Sequence, residues 1–376
     1  MSVAVIGGGL AGLSAALTLQ EAGEEVELFE ASDGIGGRVR SDYIDGFICD
    51  RGFQLINSGY PEIKRLQVIS ELDFQKSDRT VDVVTPYGVL AIGDPRLHPI
   101  SALTSPLGSI VEKLALLKFL GAKPNSSISL RDALLASGSG NFYENILQPF
   151  LRGVFLTELE NIDSAYGREI IKSFVIGDSG LPSAGVGTLS EAIAARIENI
   201  HLSSPIDSLS QFADRKVIVA TDDVMASRLL DISPTQEHAK SVTWYHSIPA
   251  GAIDSKRLRV TSASSPIVNS IAISNVASQY APASQTLLSS TSLQLLSDEG
   301  ARDEISKFWQ IPPSELQLVK RYEIRNSLPI VKPGSVGVSS SRVSENKYRA
   351  GDYLSAGSQN GALLSGRLAA LELLTH

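Results

Sequence analysis

The chain has 376 residues, 43% hydrophobic and 20% charged, and carries a formal net charge of −8. That length exceeds one typical domain and can bury a large core, and the balance of apolar to charged residues excludes long disorder. The acidic charge argues against nucleic acid as a partner.

Val3 to Ile6 is an apolar run without a polar break, as expected of a strand buried on both faces of a parallel sheet. The chain enters this strand at once, so no signal or transit peptide is expected. Gly7, Gly9 and Gly12 follow in the spacing of a dinucleotide fingerprint. The first allows a tight turn, the second a close approach to pyrophosphate, and the third close packing of helix on strand. Leu10 to Ala22 reads as a helix stopped by Gly23, and its first residues, Leu10 and Ala11, direct free N–H groups at the phosphates. Glu25 to Phe29 forms a second strand ending at Glu30 and Ala31. Glu30 stands at about the spacing of the acid that takes ribose hydroxyls, and an acid there argues against a 2′-phosphate. A second glycine cluster, Gly36 and Gly37, then brings Arg38 to the same edge of the sheet.

Cys49 is the single cysteine, which excludes an intramolecular disulfide and fits a reducing compartment. Residues 58–182 read as mostly helical, through YPEIKRLQVISEL, SPLGSIVEKLALLKFLGA, SLRDALLAS and NFYENILQPFLRGVFL. The stretch SALTSPLGSIVEKLALLKFLGA has apolar residues at helical spacing; core packing is the first reading and a membrane-surface helix the alternative. No segment reaches the uninterrupted apolar length of a bilayer span. GVGTLSEAIAARI is a loop-to-helix entry, a strand around Ser204-Pro205-Ile206 is expected to lay backbone against an adenine, and Lys216 to Thr221 reads as another buried strand. Within 223–339, SVTWYHSI, PIVNSIAISNVA and QTLLSSTSL read as strands, and DEGARDEISKFWQ as a helix ending near Pro312-Pro313. His98, His201, His238, His246 and His376 are scattered without ligand spacing, so no metal site is expected.

At the other end, Tyr348 to Ala350 leads a strand into Gly351-Asp352, whose carboxylate suits sugar or ribityl hydroxyls. Gly357 and Gly361 flank a helix predicted from about Gly361 to Leu374, and Asn360, Gly361 and Ala362 open it. A helix N-terminus at the pyrimidine edge of a flavin stabilises the negative charge of the reduced ring. A dinucleotide held by both ends of one chain is the arrangement of FAD-binding oxidoreductases. The expected fold is therefore α/β: a Rossmann-type FAD-binding domain from residues 1–57, 183–222 and 340–376, with an inserted α+β substrate domain from 58–182 and 223–339.

These stretches resemble the flavin-dependent amine oxidase, protoporphyrinogen oxidase and carotene desaturase superfamily. VIGGGLAGLSAA with Glu30, the GGRVRS loop, LPSAGVGTLSEAIAARI with SPIDSL, and AGDYLSAGSQNGALLSGRLAA carry the resemblance in order from end to end. It implies an FAD domain of the glutathione-reductase/amine-oxidase kind, in which VIVATD, ending near Thr221, returns to the sheet beneath the cofactor. It also implies non-covalent FAD, since Cys49 lies far from the tail where some amine oxidases attach theirs. Amine oxidases typically place an aromatic residue where Ser358 stands, and only Lys332 tempts a match to their lysine near flavin N5. A solvated lysine is the better reading of Lys332. The implied activity is dehydrogenation or desaturation of a largely apolar small molecule by hydride transfer to N5, with dioxygen or a quinone as electron acceptor. Phe53, Gln54, Tyr322, Arg325 and Leu328 are the residues expected near the isoalloxazine. A flavin amine oxidase releasing hydrogen peroxide is the alternative, and structural or isomerising use of FAD a third. The expected location is cytoplasmic, with peripheral membrane contact left open.

Overall fold

The computed structural model describes residues 2–85, 88–93, 109–261, 265–335 and 340–376. His98 and the 101–108 part of the predicted surface helix lie outside these. The first sheet has five strands, in the order Ile200–His201, Val26–Phe29, Val3–Ile6, Val217–Val219 and Lys347–Arg349. All four pairings are parallel, with Val5 opposite both Leu28 and Ile218. The central strand is buried at every position, as its unbroken apolar run requires. Both chain ends thus lie in one sheet.

Helices Leu10–Glu21 and Gln359–Thr375 pack against each other unusually closely. A Cβ on Gly366 would run into the Ala11 carbonyl, and the buried face of the terminal helix includes the small residues Gly361, Ser365, Gly366, Ala369 and Ala370. The expected close packing of this helix rests on that contact. The terminal helix begins at Gln359 rather than Gly361, because Ser358 caps it: its Oγ accepts from the Gly361 N–H at 3.0 Å.

The strand expected around Ser204–Ile206 lies earlier, at Ile200–His201. Ser203 adopts a positive φ of 49°, which turns the chain out of the sheet before Pro205, a residue without an N–H to pair. Residues 203 and 204 instead donate their N–H groups to the carbonyls of Ser32 and Glu30, at 2.8 and 2.9 Å.

A second, seven-stranded sheet runs Gln317–Pro329, His238–Pro249, Gln285–Ser292, Ile267–Ala272, Leu258–Thr261, Val81–Thr85 and Gly88–Ile92. The predicted strand at PIVNSIAISNVA stops at Ala272 and becomes the short helix Ile273–Val276. Residues 58–182 are less purely helical than expected, since they contribute Phe74–Lys76 and the last two strands of this sheet. Val81–Thr85 is stabilised by a parallel partner, Leu258–Thr261, far along the chain, which local periodicity does not reveal. Helix Asp298–Trp309 joins Trp244, Ile248 and Leu288 in a buried cluster and ends at Gln310, whose φ is +58°.

Candidate FAD site

The two glycine clusters near the N-terminus are physically joined. The Gly36 N–H donates to the Gly8 carbonyl at 2.7 Å, and Gly9 and Gly36 form a parallel bridge. Gly7 has φ +108°, and a Cβ there would meet the Ala220 carbonyl at 2.7 Å and the Thr221 nitrogen at 3.2 Å. Thr221 therefore abuts the turn, as expected of the returning strand. A Cβ on Gly12 would collide with the Gly7 carbonyl, whereas one on Gly9 would meet nothing within 4 Å. The first helix has no side-chain cap, so the N–H groups of its first turn, at Leu10 and Ala11, remain available beside that open space. An uncapped helix end facing room for a group is what a pyrophosphate needs.

The Glu30 carboxylate accepts from the Gly8 N–H at 2.7 Å, the Ser32 N–H at 2.9 Å and the Ser32 hydroxyl at 2.6 Å. It is thus fixed at the strand end beside the turn, with Ala31 exposed next to it. Ile206 and Phe29 are half-buried against the cluster that contains Phe212, and the Phe29 ring stacks on His201 at 4.8 Å. The residues expected at pyrophosphate, ribose and adenine are therefore brought together along one edge of the sheet.

Arg38 reaches the other end of the chain. Its guanidinium donates to Asp352 Oδ1 at 2.7 Å and to the Ser327 carbonyl at 2.5 Å. Burial disfavours the charge, but the Asp352 carboxylate outweighs it and holds Arg38 more firmly protonated than an ordinary arginine. Asp352 is buried, and the preceding Gly351 N–H donates to Ser365 Oγ at 3.0 Å. A Cβ on Gly361 would strike the Ala356 carbonyl, so this glycine contributes space, its N–H being taken by Ser358. Asn360 Oδ1 accepts from the Glu62 N–H at 3.0 Å, which ties the start of the last helix to helix Pro61–Leu66; Ala362 is half-buried one turn in.

Gln54 comes to this place and Tyr322 does not. Gln54 Nε2 donates to the Arg38 carbonyl at 2.6 Å, and its Oε1 accepts from Gln359 Nε2 at 3.2 Å. Phe53 packs on the core beneath. Tyr322 donates to Asp42 Oδ2 at 2.6 Å, on the hairpin formed by Ser41–Ile44 and Phe47–Asp50, and packs edge-on against Tyr245. Arg325 is exposed, in an irregular stretch of its strand between the pairings Ser241–Ile324 and Ala239–Leu328. Lys332 pairs with Glu237 at 2.8 Å on the surface.

Three contributors have no signal in the sequence. Tyr166, on helix Ser164–Ile176, sets its hydroxyl against Gly357, where a Cβ would lie 3.1 Å from it, and burial pushes its phenol well above the ordinary range. Ser327 supplies the carbonyl for Arg38 and a hydroxyl bonded to Ser241 at 2.6 Å. Glu62 accepts from Arg367 at 2.6 and 2.9 Å and from Arg65 at 2.9 Å, and its side chain is only 4% exposed. All three depend on contacts between distant segments.

Residues 10–227 match the model of the family described as flavin containing amine oxidoreductase. The chain belongs to this family. Among curated relatives it is 46% identical over 71 residues to polyamine oxidase 2 of Arabidopsis thaliana, covering 19% of this chain and 14% of that protein. It is 27% identical over 174 residues to protoporphyrinogen oxidase 2 of the same plant, covering 43% and 34%. A 4,4′-diapophytoene desaturase of Staphylococcus aureus is 33% identical over 95 residues, covering 21% and 19%. The chain thus spans between 14% and 34% of the length of these relatives. Among solved structures, an oxidoreductase from Methanosarcina mazei superposes with a TM-score of 0.79 at 17% identity, covering 100% of both chains. A putrescine oxidase bound to putrescine gives 0.73 at 16%, covering 100% and 99%. These likenesses establish the α/β fold, and the family supplies the cofactor class, a flavin, which the two-ended dinucleotide site fits as FAD. No described helix is long and apolar enough to cross a membrane.

Proposed function

We propose that this protein is an FAD-dependent oxidoreductase that dehydrogenates or desaturates a largely apolar small molecule, with FAD held non-covalently. The Arg38–Asp352 bond carries the cofactor part of the reading, because it joins the second glycine loop to the turn between strand Lys347–Arg349 and the last helix. FAD, when bound, accepts two electrons from the substrate as hydride. The residues' share is binding and orientation. The uncapped first helix and Gly9 would hold the pyrophosphate, Glu30 the ribose, and Asp352 the ribityl chain. We place the substrate between the sheet assembled from 1–57, 183–222 and 340–376 and the two insertions.

The apolar preference rests on Ala356 and Ile330. Both pack, as Phe150, Tyr166 and Phe174 do, onto the helical cluster that includes Leu134, Leu151 and Phe155, so the greasy core of the first insertion reaches the turn before the last helix. A charged amine brought there would have to shed water without an aromatic wall at position 358, because Ser358 serves as a helix cap. The amine oxidase stays as the second reading, favoured by the family and by the polyamine oxidase identity. Anaerobic mixing decides between them. Bleaching of the flavin by isoprenoid-like or other unsaturated apolar compounds is expected, and bleaching by simple amines alone would reverse the ranking. Unchanged flavin during substrate turnover would favour isomerising use. The acceptor, dioxygen or quinone, follows from which one restores the oxidised spectrum.

Helix Ile110–Gly121 exposes Ile110, Val111, Leu114 and Leu117 by 50–74% while burying Ala115 and Phe119. We read this face, with Lys113 and Lys118 on the same helix, as a peripheral membrane contact. Flotation with anionic liposomes that is abolished by Val111→Asp and Leu117→Asp is the expected result.

A further inference from the structure

The Gln54–Gln359 pair presents a hydrogen-bond acceptor whose direction is set by the surrounding backbone. Gln54 Nε2 lies 2.6 Å from the Arg38 carbonyl and 3.3 Å from the Arg51 carbonyl. Two acceptors on that side fix the amide with its NH2 toward them, because the flipped amide would set oxygen against oxygen. Its Oε1 must then face Gln359, which can only answer with its own NH2, at 3.2 Å. The Gln359 oxygen is therefore left pointing away, and it is buried without a partner. A buried amide oxygen without a donor is costly, and native proteins rarely leave one so.

Its place in the fold identifies the missing donor. Gln359 is the first residue of the terminal helix, directly after the Ser358 cap. The helix N–H groups at Gln359 and Asn360 have no carbonyl one turn back, so the same spot offers N–H donors beside one amide acceptor. The pyrimidine edge of an isoalloxazine has the complementary pattern, two carbonyls flanking a single N3–H.

We propose that Gln359, held by Gln54, accepts the N3–H of the flavin and so fixes the rotation of the ring about its ribityl tether. This rests on the FAD reading above and extends it to a side-chain pair. Gln359 is then a cofactor-positioning residue and Gln54 the residue that orients it. A methionine at 359 keeps the length of the side chain but offers no comparable acceptor.

The test uses purified protein stripped of flavin and titrated with FAD or with 3-methyl-FAD, in which the N3 proton is replaced by a methyl group. Wild-type protein should bind FAD at least about tenfold more tightly than 3-methyl-FAD, the scale of one buried hydrogen bond. In Gln359→Met the ratio should fall to within about twofold, and Gln54→Leu should shift it in the same direction. Equal binding of the two flavins by the wild type would overturn the proposal. So would a preference that survives in Gln359→Met, which would mark the methyl group as a steric clash elsewhere. If Gln359→Met does not fold, Gln54→Leu decides: an undiminished ratio in that variant overturns the relay. Wild-type protein that takes up neither flavin would instead remove the FAD reading itself, and the proposal with it.

Discussion

Arg38 and Asp352 stand 314 residues apart in the chain and meet through a 2.7 Å hydrogen bond. The bond forms because the parallel sheet places both ends of the polypeptide side by side, with Lys347–Arg349 paired to Val217–Val219 and that strand paired to Val3–Ile6. The Asp352 carboxylate is 5% exposed, the Arg38 side chain 38%, so the pair is anchored on the acid side and open on the other.

Asp352→Ala should lower FAD affinity about 10–100-fold, the scale of a hydrogen bond between charged groups, about 1.5–3 kcal/mol. Asp352→Asn keeps an acceptor for Arg38 and should lose less. Equilibrium titration of the flavin-free proteins measures both. Equal affinities in wild type and Asp352→Ala would separate the pair from the cofactor.

Glu30→Ala removes the carboxylate that holds the Gly8 and Ser32 N–H groups in place. FAD retention should fall by about 1.5–3 kcal/mol, through the lost ribose acceptor and a loosened turn. Glu30→Gln, still able to accept, should fall between. Released flavin fluorescence after gel filtration reports the ranking, and an unchanged Glu30→Ala would take this residue out of the site.

Glu62 joins helix Pro61–Leu66 to the terminal helix through Arg367. Burial works against its charge, yet Arg367 and Arg65 together hold its carboxyl below the ordinary range. Glu62→Ala leaves two arginines facing a nearly buried site, and a loss of about 3–5 kcal/mol in unfolding free energy is expected. Urea denaturation gives the value. A loss below about 1 kcal/mol would place the pair with ordinary surface bridges.

The cofactor half of the molecule was legible because its signals are local. Gly7, Gly9 and Gly12 need no partner to announce a turn, and Tyr348 to Gly351-Asp352 reads as strand and acid on its own. Neighbouring signals misplaced what tertiary contacts decide. Ser204–Ile206 has a strand-like look, but the left-handed Ser203 sends it out to bond with Glu30. Val81–Thr85 was hidden because its partner Leu258–Thr261 comes from the other insertion. Ser358 stands out in the sequence only for lacking an aromatic ring, and its role as the cap of the last helix emerges from the fold. Tyr166 and Glu62 carry ordinary residue types at ordinary helical positions, so nothing short of the fold could single them out.

Two buried groups should oppose each other in the pH dependence of stability. Asp50 accepts from Ser41, Tyr280 and the Val186 N–H, yet burial pushes its carboxyl up to about 6. His246 is buried in strand His238–Pro249, and burial pushes its imidazole down to about 4, with Asp298 opposing and Arg302 adding to the shift. As pH falls from 6.5 toward 4, the folded protein takes a proton at Asp50 that the unfolded chain does not. That raises stability by about 3 kcal/mol across the window. Over the same interval the unfolded chain protonates His246 while the folded protein does not, which lowers stability by about 3 kcal/mol. The wild type should therefore show little net slope from these two groups. Asp50→Asn keeps an oxygen for Val186 and Ser41 and an NH2 for Tyr280, but no longer gains a proton. Its stability relative to wild type should worsen as the solution is acidified. His246→Met should do the reverse and gain on wild type at low pH. Urea unfolding at several pH values between 4.5 and 6.5 tests the pair, and difference profiles that run parallel rather than diverging would show that neither proton is linked to folding as the burial implies.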